Sequence, residues 1–354
     1  MFKLPVKVTC YVLMVFLVAV TACAVDGVEQ SGDNNRLPTL KLEIRNKVKP
    51  YSLDLVNWEI NNFITPVKGD PADRMDGLSD KISLVLKEQN IPVVPSVHTR
   101  ITAPPLLLVI SPKDKILYWD RVLLSSDLKD NQIEEIENIV DAFGLSSLVT
   151  RIGGFGAAYP SIVSPDMSLE NQVNAAVEEW AHQYLVFRPL GFLYLLDSMG
   201  LSQHPEIISM NETLAGIIAD EIGDEVYARY YHPANNQNTA VKTTIDFDFN
   251  KEMRETRKNV DRMLEDNQIE QAEQYMKERR LLFVQHGYKI RKLNQAYFAF
   301  HAIYGQDPCA VSPIYNDMTM LRSSYGNLVD FINSVSNMNS YENLHAAVKL
   351  LPGK

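Results

Sequence analysis

Residues 173–187, VNAAVEEWAHQYLVF, carry the side chains of this chain best suited to chemistry. On a helix Glu178 and His182 stand one turn apart and share a face, with Glu179 one position round from the first. Carboxylate oxygen and imidazole nitrogen both bind divalent cations such as zinc. The same residue types on a helix also make an ordinary solvated face. Against that reading stand Val177, Trp180, Ala181, Tyr184 and Leu185, whose apolar character implies a largely buried helix, and buried ionisable groups require partners. Glu212 follows later in the context N-E-T-L-A and opens a second amphipathic stretch. If Glu178, Glu179 and Glu212 meet, the cluster is either metallated or partly protonated, because like charges packed together cannot all remain ionised.

This combination resembles the gluzincin metallopeptidases, the thermolysin-like and aminopeptidase-like families. Their H-E-x-x-H helix supplies two histidine ligands and a general base, and a later helix supplies a glutamate as third zinc ligand. More narrowly, several runs are similar to uncharacterised bacterial envelope proteins with an H-E-W-x-H motif. These are Gly153-Gly154, E-W-A-H-Q-Y-L at 179–185, R-P-L-G at 188–191, Asn211-Glu212-Thr213, Glu221-Ile222-Gly223 and L-N-Q-A-Y-F-A-F at 293–300. The resemblance implies Glu178, His182 and Glu212 as metal ligands and Glu179 as the general base acting on a metal-bound water. It implies zinc as cofactor, one per chain, and a peptide or protein substrate. The chain departs from the pattern at Glu178, where the motif has histidine. Two anionic ligands formally cancel the charge of zinc and acidify its water less, so weaker hydrolysis, or a harder metal such as manganese, is expected.

The resemblance also implies an edge strand beside the motif helix that pairs with the substrate backbone. The segment 148–163, interrupted by Gly153, Gly154 and Gly156, stands where such a strand is expected, with a bulge or loop as the alternative reading. A tyrosine or histidine from a downstream helix often steadies the oxyanion in such peptidases, which points to Tyr297 or His301 on successive turns near Tyr304. Taken singly, Tyr297, Phe298, Phe300 and Tyr304 each read more readily as core aromatics. His98, His204, His286 and His345 have no motif around them, and His232 reads as a surface or capping residue. No serine nucleophile elbow or Cys-His arrangement is present.

The elements that would position these residues form an α+β chain, mainly α. Residues 39–165 read as an N-terminal α/β region and 166–354 as a helical, zincin-like region. In the first, 40–44 has a short alternating look, 51–64 and 80–89 are amphipathic helices, and 106–110 with 115–124 is a hairpin turning at Ser111-Pro112-Lys113-Asp114. A helix over 127–143 ends at Gly144, a residue suited to a left-handed cap. In the second, Ser168 is an N-cap for the motif helix, 209–231 is a long helix, and 246–287 is a helical hairpin turning at Asp266-Asn267. Helical stretches at 289–304, 313–335 and 341–351 complete the chain.

The first 23 residues form a targeting segment, with Lys3 and Lys7 before an apolar run over 8–20. Val20-Thr21-Ala22-Cys23 looks like the lipobox of a bacterial lipoprotein, which implies a lipid on Cys23, a polar tether over 24–38 and a place in the cell envelope outside the cytoplasmic membrane. A secretory signal cut near Ala22 or Ala24, or an uncleaved anchor, are the competing readings. After processing, Cys309 is left without a partner for an internal disulfide. With 34 basic against 44 acidic residues and a net charge of −10, nucleic acid is excluded as a partner. The expected function is that of a membrane-tethered metallopeptidase-like protein, the alternative a non-catalytic zincin-fold binding or scaffold lipoprotein. Nothing in the sequence sets the oligomeric state.

Overall fold

The computed structural model describes residues 36–64, 77–198, 201–202, 204–231 and 247–351. The signal segment with Cys23, most of the expected tether, and His232 lie outside the described residues. The fold is α+β and mainly α. No helix among the described residues is long and apolar enough to cross a membrane.

The N-terminal strands form two small sheets. In the first, β2 (Leu106–Pro112) pairs antiparallel on one side with β3 (Asp120–Leu124) and on the other with β4 (Leu145–Arg151). The continuous apolar run of β2 follows from its central place, since both faces are covered. On one face Leu106, Leu108 and Ile110 pack with Ile44 and Val48 of α1 (Arg36–Val48) and with Ile136 and Val140 of α4 (Asp130–Asp141). On the other, Leu107 and Val109 meet Ala296 and Phe300 of α10 (Gln295–His301). The sheet is therefore closed by a helix from the far end of the chain. Asn294 caps α10 by accepting from the Tyr297 backbone N–H at 2.9 Å, and its side chain donates to the Ser147 carbonyl at 2.8 Å. Glu137 fastens the preceding turn by accepting from the guanidinium of Arg291.

Residues 40–44, which alternate in sequence, are helical in the structure. Ile44 and Val48 are both fully buried, and their i, i+4 spacing extends beyond the five residues in which alternation is visible. Helix α1 also begins at Arg36, inside the stretch expected as tether.

In the second sheet β1 (Thr99–Ile101) runs parallel to β6 (Ser161–Val163), and β5 (Gly154–Phe155) pairs antiparallel with β6 at the edge. The apolar segment 148–163 is thus three short strands rather than one. Helix α2 (Leu55–Ile64) touches this sheet, with Trp58 edge-on to Phe155 and the Tyr159 backbone N–H donating to Glu59 Oε1 at 3.2 Å. Burial lifts the Glu59 carboxyl to about 7, although the Tyr159 N–H and Arg100 act to lower it. Because the folded chain holds this proton more tightly than the unfolded one, the contribution of Glu59 to stability is full below about pH 4.5 and is lost as pH rises through about 7. Glu59→Gln is therefore expected to stabilise the protein by about 2–3 kcal/mol at pH 8 and to change little at pH 4. Denaturant melts of both proteins at the two pH values check this.

The large helical core is built around α5 (Leu169–Leu185) and α7 (Pro205–Tyr230), packed against each other and surrounded by α3 (Leu78–Glu88), α6 (Pro189–Ser198), α11 (Ile314–Ser323), α12 (Leu328–Ser336) and α13 (Tyr341–Lys349). Ser168 caps α5, its hydroxyl accepting from the Asn171 backbone N–H at 3.3 Å. Pro205 opens α7, a position where a proline forfeits no hydrogen bond, so this helix starts earlier than 209 and Glu212 stands two turns inside it. Helices α8 (Phe249–Glu265) and α9 (Ile269–Gln285) form the expected hairpin, with Asn267 at φ 57° in the turn. The stretch 289–304 is helical only over α10, and 313–335 divides into α11 and α12 at a turn around Gly326.

Candidate metal centre

Helices α5 and α7 bring Glu178, His182 and Glu212 together. One ligand atom from each lies within 4.8 Å of the others. His182 Nδ1 is 2.8 Å from Asn211 Oδ1, and Nε2 is 3.6 Å from Glu212 Oε2. With Nδ1–H donating to Asn211, the Nε2 lone pair is directed into the cluster, as a metal-binding imidazole requires. Tyr194 of α6 stacks on the His182 ring at 5.5 Å and donates its hydroxyl to Glu212 Oε1 at 2.8 Å. Two of the three candidate ligands are thus oriented by neighbours that belong to different elements.

Glu179 sits beside the cluster, under the edge of the small sheet. A Cβ at Gly154 would clash with its Oε1 and one at Gly156 with its Oε2, so only glycine lets β5 lie this close to the carboxylate. Gln183, one turn further along α5, donates to the carbonyls of Gly156 at 3.1 Å and Ala158 at 2.7 Å and holds the β5–β6 turn onto the helix. Trp180 donates to the Pro95 carbonyl at 2.9 Å and locks the opposite side. Gly153 lies just before β5, against the Met167 side chain.

The electrostatics follow from packing several carboxylates out of water. Burial is the main cause that raises Glu178 to about 7 and Glu179 to about 8; His182 opposes it in both, and neighbouring carboxylates reinforce it. Burial alone would lower His182, but Glu212, Glu179 and Glu178 push it up to about 10. Glu212 is the exception among the carboxylates. Burial would raise it, yet His182, the Tyr194 hydroxyl and Arg121 hold it below the ordinary range. The cluster thus favours positive charge at its centre, whether from a proton on His182 or from a cation.

Tyr297 and His301 stand apart from these residues. Tyr297 stacks on His301 at 4.2 Å and faces Cys309 and Asp307, and His301 Nδ1 pairs with Asp307 Oδ2 at 2.8 Å. The physical reason is that α10 ends at His301, so Tyr304 leaves the helical phase of the other two. Tyr304 instead faces Glu212, Glu178 and Tyr194, and its hydroxyl is held well above the ordinary range by burial and these carboxylates. Tyr118 and Arg121 reach the same place from the first sheet, and nothing in the local sequence marks them beyond a lone cation on a strand face. Tyr194 and Asn211 carry no motif of their own role either. Asn211 stands inside the N-E-T context, but only its contact with His182 gives it one.

No protein-family model matches the chain, and neither the curated proteins nor the solved structures give a match.

Proposed function

We propose that the chain is a metal-dependent peptidase-like protein whose ion, zinc or manganese, is held by Glu178, His182 and Glu212. The observation that carries this reading is the convergence of those three donors with a fourth carboxylate, Glu179, beneath an edge strand. The donor set suits the ion. One imidazole nitrogen and two carboxylate oxygens leave room for a further ligand, and the Asn211 contact prepares His182 to donate through Nε2. A cation bound there would acidify water and polarise a carbonyl.

The chain's own residues then do the following. The edge of β5 pairs with an extended peptide backbone and lays the scissile bond over Glu179. Glu179 takes a proton from the attacking water and returns it to the leaving amine. The Tyr304 hydroxyl, facing the cluster, donates to the carbonyl oxygen as charge develops on it. The lipobox-like run ending at Cys23 supports a lipid anchor, and with it action at the cell envelope.

A second reading is favoured by the His182–Glu212 contact, which a proton alone satisfies. A histidine raised to about 10 makes a stable ion pair at neutral pH, as a non-catalytic scaffold would need. A screen against a quenched-fluorescent peptide library separates the two. Cleavage that stops on chelation and returns with zinc or manganese is the expected result. Absence of cleavage by a protein that retains its ion would overturn the catalytic reading and leave the scaffold.

A further inference from the structure

Among the described residues facing the cluster, Arg121 is a cation for which the metal site has no use. It lies on β3, opposite Val109, with Leu123 on the sheet face that α10 covers. Its guanidinium faces Tyr118, Tyr194 and Glu212, and these neighbours keep it firmly protonated against a burial that acts to lower its pKa. Yet among the described residues no carboxylate oxygen lies within 4.0 Å of it. Glu212 does not close the gap: its Oε1 accepts from Tyr194 and its Oε2 faces His182 Nε2, and neither oxygen lies within 4.0 Å of Arg121. The Tyr118 hydroxyl lies against Arg121 but is buried without a well-formed hydrogen bond.

A partly buried guanidinium is costly unless an anion meets its fork of donors. Here the fork is left with unused donors next to the very carboxylate that would bind the ion. A planar, bidentate partner, a carboxylate, matches that fork best. The Tyr118 hydroxyl adds a further donor at the same corner.

We infer that Arg121 and Tyr118 form a carboxylate-binding corner, so that the ligand taken at the Glu178–His182–Glu212 cluster carries a carboxylate close to the bond being cleaved. This deepens the peptidase reading, on which it rests for the ligand being a peptide. The carboxylate is either the C-terminus of the peptide or the side chain of an acidic residue.

The test is calorimetric titration of the zinc-loaded protein with four probes: N-acetyl-alanyl-phenylalanine, its carboxamide, N-acetyl-alanyl-glutamate with an amidated C-terminus, and the glutamine counterpart. The acid is expected to bind about tenfold or more tightly than its neutral partner in the first pair if the C-terminus is read, or in the second if the side chain is. Arg121→Met should bring that ratio to about one, whereas Arg121→Lys, which keeps the charge without the fork, should leave an intermediate ratio. A merely structural arginine would change stability and leave the ratio alone. Equal binding of acids and amides by the unaltered protein, no binding of either acid, or a ratio that survives in Arg121→Met overturns the inference. Where Arg121→Met does not fold, the Arg121→Lys ratio decides. Repeating the titrations without zinc separates the two readings. An Arg121-dependent preference in a protein that takes up no ion would sink the metallopeptidase and keep the carboxylate corner, while zinc binding without the preference would do the reverse.

Discussion

Glu179→Gln is expected to lower peptide hydrolysis by about a thousandfold while leaving metal content and substrate KM nearly unchanged. The substitution keeps the shape of the side chain, which matters because Gly154 and Gly156 close over both of its oxygens. What it removes is the ability to take a proton. Glu179 lies beneath β5 and is not among the three proposed ligands, so it is the carboxylate left to serve water and leaving amine in turn. Kinetics of the purified variant against a cleaved peptide check the prediction. A drop confined to KM would mean that Glu179 binds substrate, and unchanged hydrolysis would place the chemistry elsewhere.

The second large effect concerns the fold. Gly191 lies just inside α6, where its Cα approaches the Leu185 carbonyl at the end of α5 so closely that an added Cβ would overlap the backbone. Neither partner is a flexible side chain, so the helices must separate. Gly191→Ala is expected to cost about 3 kcal/mol in a denaturant melt. Because α6 carries Tyr194, the same change should loosen Glu212. A variant as stable as the unaltered protein would show that the α5–α6 junction yields easily.

Two of the candidate ligands, Glu178 and His182, were legible in the sequence because their geometry is local, whereas Glu212, on another helix, was reached only through the resemblance. Glu178 and His182 are one turn apart on any helix, and Ser168 and Pro189 bound that helix in plain sight. The left-handed Gly144 after α4 and the α8–α9 hairpin were visible for the same reason, since turn residues announce them, whereas the pairing of β2 with β3 was visible but not its turn, because Ser111 and Pro112 belong to β2 and β3 begins only at Asp120. What surrounds the ligands was not legible. Arg121, Tyr118, Tyr194 and Tyr304 come from a strand, its approach, a short helix and a turn, and only tertiary packing decides that they face one place. The exchange of Tyr304 for Tyr297 and His301 shows how little is needed. A continuous helix over 289–304 would set all three on neighbouring turns, but α10 stops at His301 and the face is lost. The alternation at 40–44 misled for a similar reason, because a short window cannot distinguish the two periods.

Metal content tests the central claim most directly. The protein from residue 25 onward, dialysed in metal-free buffer after exposure to zinc and manganese, is measured by plasma mass spectrometry beside Glu212→Ala. About one zinc or manganese ion per chain in the unaltered protein and almost none in the variant is the expected result. No ion in either protein, or equal amounts in both, would contradict a metal centre at Glu178, His182 and Glu212.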